Sequence, residues 1–369
     1  MNNTELVKVV AQKLAQNNHS KNVIAGFDGF IDEILHIIKE KKSATKYVRL
    51  NYMKEFADRI AAAAGFSGNL EYASQQIKFG GNGPIMANCL IEFGHKINYI
   101  GTIGKDNIHP IFQDFANKCE KVTSFLNPGL TDSIEFLDGK MMMGRMNDFD
   151  KMSFTNIVSH YPVADLIQAI ENSALIIFAN WTSLPEMNTI YDGFAQLIAK
   201  TKNRPGAFID LADPTKRSPE EIKEAMYKLS NLNNYADVIL GLNENESVLI
   251  ANSLNIGETD IKTRASKIRE VLNLAYVVIH PISGAAVATK NEAHWFDGPF
   301  TPTPKLTTGA GDNFNAGFCN GWLTGLSPQE CLISGVSTSG FYVRNGHSPN
   351  RDELVDFMQK WADVNCGDI

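Results

Sequence analysis

Six short apolar runs recur along the 369-residue chain, each closed by small, polar or turn residues and separated by longer stretches of helical period. They are NVIAGF (22–27), INYIG (97–101), ALIIFAN (174–180), GAFIDL (206–211), ADVILG (236–241) and AYVVIH (275–280). Runs this short and continuously apolar suit strands covered on both faces. The stretches PIMANCLIEF (84–93), PEMNTIYDGFAQLIAK (185–200), PEEIKEAMYKLSNL (219–232) and the segment after Asp312 have helical period, and several open on proline, which favours a first helical turn. The alternation predicts an α/β fold, a doubly wound and mostly parallel sheet flanked by helices. Ligands in such sheets collect where strands end and helices begin.

Two stretches break the pattern. TDSIEFLDGKMMMGRMNDF (131–149) holds a DG turn between extended runs and reads as a hairpin. ILHIIKEKKSATKYVRLN (34–51) supplies further strand candidates. Together they predict a small β-sheet lid, from about 33–51 and 131–150, on one α/β domain spanning residues 1–369. An exposed apolar face on that lid would be covered by a second copy, giving a homodimer.

A net charge of −7 without any basic block points away from nucleic acid. The five cysteines, Cys89, Cys119, Cys319, Cys331 and Cys366, are odd in number and scattered, which suits buried thiols in a reducing compartment. The first residues, MNNTELVKVVAQKLAQNN, lack the apolar core of a signal peptide, and no segment has a membrane span's roughly 18 consecutive apolar residues. These features predict a cytoplasmic protein with no membrane partner.

The stretch TTGAGDNFNAGF (307–318) carries the chemistry. A helix N-terminus has unpaired backbone N–H groups and a dipole that favours an anion. Side chains larger than Ala at Gly309, Ala310 and Gly311 would keep a phosphate from those groups. Asp312 beside them would accept the proton of an attacking hydroxyl. The tetrapeptide alone is equally a tight turn with Asp312 as an N-cap.

In its wider context TTGAGDNFNAGF resembles the C-terminal signature of the ribokinase-like (PfkB family) carbohydrate kinases. FGGNGPIMANCLIEFGHKINYIGTIGKD (79–106) resembles the N-terminal signature of that family, and DVILGLNENES (237–247) its N-x-x-E motif. The resemblance implies a ribokinase-like fold and ATP-dependent phosphorylation of a hydroxyl on a small sugar or sugar derivative. It assigns the anion hole to Gly309, Ala310 and Gly311, and the general base to Asp312. Asn243 and Glu246 would organise Mg²⁺ through water around the phosphates of ATP; taken alone they are also a helix capping box.

GFDGFIDEI sets Asp32 where the family keeps a sugar-binding aspartate, with Asp28 the competing choice. Gly80, Gly81 and Asn82 open the next loop, where a substrate would approach the backbone. In PISGAAV, Gly284 is the remnant of a Thr-x-Gly turn that packs on the nucleotide. The chain departs from the family at Ile85, where an asparagine is usual, and at Leu306, where an aspartate precedes the two threonines. His280, Ser283, Arg145 and Arg217 are weaker candidates for nucleotide or substrate contacts. A nucleoside kinase of the same fold and a catalytically silent sugar or nucleotide sensor are the rival readings.

Overall fold

The computed structural model describes residues 2–17, 19–257, 259–364 and 366–367. Its strands are β1 (Asn22–Gly26), β2 (Phe30–Lys41), β3 (Tyr47–Arg49), β4 (Tyr72–Gly80), β5 (Lys96–Gly101), β6 (Lys121–Ser124) and β7 (Gly129–Phe136). They continue with β8 (Gly139–Arg145), β9 (Leu175–Phe178), β10 (Gly206–Asp210), β11 (Asp237–Leu242), β12 (Tyr276–Ile279), β13 (Gly284–Ala288) and β14 (Ala293–Asp297). The six apolar runs are β1, β5, β9, β10, β11 and β12.

The large sheet runs β14-β13-β12-β11-β10-β9-β1-β5-β6, parallel from β12 to β6 and closed at one edge by an antiparallel β12–β13–β14 meander. Its central strands are buried along nearly their whole length, as a sheet covered by helices on both faces requires. One apolar core lies under the helices Val163–Glu171, Met187–Ile198, Pro219–Leu232 and Ile261–Leu272. The opposite face packs on Asn3–Gln16, Asn82–Glu92, Ala310–Leu323, Pro328–Asn345 and Arg351–Asp363. Each Val, Ile or Leu buried there contributes roughly 1.5–3 kcal/mol. The helix starts follow local chemistry: Ser218 before Pro219 and Ser327 before Pro328 each close a capping box with a glutamate three residues on.

The small sheet runs β3-β2-β7-β8, with β4 also paired to β2. The expected hairpin is β7–β8, turning at Leu137–Asp138 ahead of Gly139, and the stretch 34–51 supplies much of β2 and all of β3. Strand β4 escapes the hydrophobic pattern. YASQQIKFG is polar and exposed along most of its length, so no alternation announces it, and pairing with β2 makes it a strand. Leu35, Ile37, Ile134 and Phe136 on one face of this sheet pack with Leu50 and with Phe56 of the helix Met53–Ala62.

Among the cysteines, Cys89, Cys319 and Cys331 are buried, while Cys119 and Cys366 are only half-buried; all five are free thiols. No described helix is long and apolar enough to cross a membrane.

Candidate active site

The carboxyl ends of β1, β10 and β11 meet the N-termini of three helices. Asp28 follows β1 and is fully buried. Its Oδ1 accepts from Gly83 N–H at 2.8 Å, and its Oδ2 from Asn82 N–H at 3.0 Å and Asn180 Nδ2 at 2.8 Å. It therefore does the capping work for the helix Asn82–Glu92, whose N-cap Gly81 has φ 97° and no side chain to offer. Burial pushes the Asp28 carboxyl up to about 6 in spite of these donors. Both Asp28 oxygens accept hydrogen bonds from the loop that starts this helix and from Asn180.

Asp32 is buried on β2, opposite Lys78 of β4 and Thr131 of β7. Burial raises its carboxyl, against a hydrogen bond from the Thr131 hydroxyl. Gly80 is required there because a Cβ on it would lie 2.1 Å from Asp32 Oδ2.

Gly309, the N-cap of the helix Ala310–Leu323, has φ 97°, in the left-handed region that favours glycine; a Cβ there would also lie 2.7 Å from the Tyr342 hydroxyl. Ala310 N–H bonds to Thr307 O at 3.1 Å and Asn313 N–H to Gly309 O at 3.0 Å. The N–H groups of Gly311 and Asp312, between them, have no acceptor among the described residues. Ile85, in place of the family asparagine, lies against this loop, with its Cγ2 3.5 Å from where a Cβ of Gly309 would be.

A cavity of about 110 Å³ is lined by Asn82, Asp210, Asn243, Glu246, Gly311 and Asp312 among others. Asn82 Nδ2 donates to Asp312 Oδ1 at 2.9 Å and lies 3.5 Å from Asp210 Oδ2, which also accepts from Asn315 Nδ2 at 3.0 Å. Burial, with the charges of Asp210 and Asp28, holds the Asp312 carboxyl well above the usual carboxylate range. Burial and the neighbouring Asp210 push Glu246 up to about 9. Asn243 and Glu246 form the reciprocal capping box of the helix Glu244–Ser253, at 2.8 and 2.9 Å, and both also line the cavity.

Buried like-charged carboxylates are costly unless a cation joins them. Asn315 lines the same cavity, and its Oδ1 is buried and without a hydrogen-bond partner among the described residues. The carboxylate oxygens of Asp210, Glu246 and Asp312 suit a hard divalent cation. Among the described residues no group of three or more His, Cys, Asp or Glu is spaced to grip an ion directly.

Other sequence candidates fall elsewhere. Gly284 begins β13, where a Cβ would lie 2.4 Å from Phe296 O, and it does not line the cavity. His280 does line it, its ring tilted against that of Phe314 with centroids 4.6 Å apart, and burial lowers its imidazole to about 4, which keeps it neutral. Arg145 is an exposed partner of Asp132 at 3.0 Å. Arg217 is a clamp: its guanidinium donates to the carbonyls of Trp181, Thr182 and Leu184, pairs with Glu221 and lies over the Trp181 ring. Sequence reasoning missed Asp210 and Asn315. The signal for Asp210 was a carboxylate ending a buried parallel strand.

A large, mostly parallel sheet flanked by helices, beside a small second sheet, has counterparts of known structure. Arabidopsis thaliana ribokinase, solved in complex with ribose and ATP, superposes with a TM-score of 0.64 at 17% identity over 92% of this chain and 99% of its own. Adenosine kinase from Sinorhizobium meliloti does so with 0.64 at 16% identity over 93% and 99%. The fold is that of the ribokinase family, and the protein is a carbohydrate kinase. Residues 2–361 match the model described as prokaryotic ketohexokinase, and the chain belongs to that family. A ketohexokinase from Haloferax volcanii is 25% identical over 356 residues, covering 95% of this chain and 94% of the relative.

Proposed function

We propose that the protein transfers the γ-phosphoryl group of ATP to a hydroxyl of a ketohexose. The observation that carries this reading is the meeting of Asp312, two open N–H groups and the Asp210–Glu246 acids around one cavity, in a chain of the prokaryotic ketohexokinase family. Asp312 accepts the proton of the attacking hydroxyl. The Gly309–Gly311 turn presents backbone N–H groups to the phosphoryl oxygens. Asp32, with Gly80, Gly81 and Asn82 beside it, orients the sugar through its hydroxyls.

Asn243, Glu246 and Asp210 would hold Mg²⁺ through water; when bound it supplies positive charge to the phosphates and to the crowded carboxylates. The chain's own contribution to ionising the base is Asn82, whose amide donates to Asp312 and so favours the charged form.

The test is ADP release from Mg·ATP across fructose, other ketohexoses, aldohexoses, pentoses, sugar phosphates and nucleosides, repeated with Asp312→Asn. Turnover with a ketohexose, reduced about 10²–10⁴-fold in the variant while nucleotide binding persists, is the expected result. Turnover that survives the substitution removes Asp312 from the role of base. A nucleoside kinase is the second reading, favoured by the similarity to a bacterial adenosine kinase fold; turnover of adenosine and of no sugar selects it.

A homodimer through the small sheet belongs to the same reading. By register, Ile77, Leu130, Met141 and Met143 share the sheet face that carries Leu35 and Ile134, and they are exposed where the helix Met53–Ala62 leaves that face uncovered. The adjacent outer edge of β8 is unpaired in the sheet order, so a second copy would satisfy both face and edge.

A further inference from the structure

The inner face of the small sheet carries two cations with no role so far. Lys78 of β4 stands opposite Asp32, and Lys140 of β8 stands opposite Glu135 of β7. Strand alternation puts both on the face that bears Asp32, Thr131 and Ser133. Lys140 Nζ donates to Thr308 Oγ1, and the carbonyl of that same Thr308 accepts from the Tyr342 hydroxyl at 2.7 Å. Lys140 thus bonds the small sheet to the turn that starts the helix Ala310–Leu323.

Both lysines are half-buried. Other lysines on and beside this sheet pair with surface carboxylates, Lys39 with Glu55 and Lys41 with Glu71 at 2.6 Å and Lys54 with Asp58 at 2.8 Å. Lys78 and Lys140 join no ion pair among the described residues. Burial holds both ammonium groups below their ordinary range, and the charge of Lys78 adds to the effect on Lys140; Asp32, Glu135 and Asp312 act in the other direction. Two partly desolvated, mutually repelling cations are costly unless an anion sits with them. Lysines that merely solvate the sheet would point their heads outward to water, and the contact with Thr308 points Lys140 inward.

We propose that Lys78 and Lys140 clamp the transferring phosphoryl group from the side of the small sheet, opposite the N–H groups of Gly311 and Asp312. The proposal rests on the kinase reading above. The acceptor oxygen forms its bond to phosphorus as the bond to the ADP oxygen breaks, ADP leaves with that electron pair, and the hydroxyl proton passes to Asp312. The lysines exchange no proton. They balance charge on the phosphoryl oxygens that the backbone N–H groups reach from the other side. Asp32 on the same face ties acceptor recognition to this clamp, since Lys78 is its cross-strand neighbour.

The experiment is calorimetric titration with Mg²⁺ and either ADP or the non-hydrolysable β,γ-methylene analogue of ATP, using the wild type, Lys78→Met, Lys140→Met and Lys140→Gln. Kinetics with the sugar turned over are measured in parallel, and melting curves confirm that each variant folds. Each loss of a lysine is expected to lower the analogue-to-ADP affinity ratio about tenfold, with kcat down about 10²-fold and the sugar KM within about threefold. Lys140→Arg, titrated alongside them, should keep most of the ratio. An unchanged ratio overturns the clamp. So does a variant whose defect lies in the affinity for the sugar or its phosphate, which would assign the lysines to the acceptor. A wild type that binds neither nucleotide overturns the kinase reading and the clamp with it, whereas binding with an insensitive ratio sinks the clamp alone.

Discussion

The side-chain amide of Asn82 donates to Asp312 Oδ1 at 2.9 Å, joining two residues 230 positions apart. Since burial and neighbouring acids raise the Asp312 carboxyl and this donor lowers it, Asn82 sets how much of Asp312 is ionised at a given pH. A general base works only when ionised, so activity should fall as the pH drops through the raised value. Asn82→Ala removes the donor, raises the carboxyl further and should move the acid limb of the kcat–pH profile to higher pH. At neutral pH the loss should be about one to two orders of magnitude, the scale of a hydrogen bond to a charged group. An acid limb that does not move would separate Asn82 from Asp312.

The capping box makes Glu246→Gln a mild change for the helix, because glutamine also serves at that position. Electrostatically it is large. The Glu246 carboxyl rises from 4.5 to about 9 in the folded chain, so the fold holds a proton that the unfolded chain releases, and stability falls as pH rises through that window. Glu246→Gln should therefore raise the melting temperature of the ligand-free protein at pH 7–8 by at least ~2 °C, with little change at pH 4, while lowering activity. Thermal melts at the two pH values decide it; an equal effect at both would deny the charge origin.

Gly80→Ala tests the sugar side. Its Cβ would lie 2.1 Å from Asp32 Oδ2 and 2.4 Å from Cγ, so the Asp32 carboxylate must move. Overpacking of this kind costs about 1–3 kcal/mol. The sugar KM should rise about tenfold or more, with ADP affinity unchanged by calorimetry. An unchanged KM would place sugar recognition away from Asp32.

Charge on the exposed face of the small sheet tests the dimer. Met143→Glu buries a carboxylate against a second copy if that face is the interface, and the dimer dissociation constant should rise by at least tenfold in sedimentation equilibrium. A wild type that sediments as a monomer at micromolar concentration would remove the interface.

Much of the fold was legible because its signals are local. Buried parallel strands read as continuous apolar runs, and all six runs predicted from the sequence match their strands to within two residues at either end. The helix Pro219–Leu232 carries its own start, Ser218, Pro219 and Glu221. Strand β4 was not legible, since neither face of YASQQIKFG is evenly apolar and its strand character comes from the edge of β2. The candidate site was legible in part. Asp312, Gly309, Asn243 and Glu246 lie in short motifs at helix starts, where local chemistry and site chemistry coincide.

The sequence by itself determined the class of sheet, the helix starts and the small-residue turn before Asp312, because periodicity, capping and backbone freedom act over a few residues. Only the tertiary structure decided that Asp28 caps the helix Asn82–Glu92, that Asp210 joins Asp312 and Glu246, and that Lys78 and Lys140 share a sheet face with Asp32. Those relationships depend on strand order. β1 and β10 flank β9, and β4 crosses to β2, so charges distant in the chain become neighbours in a buried space of low dielectric, where their interaction is strong.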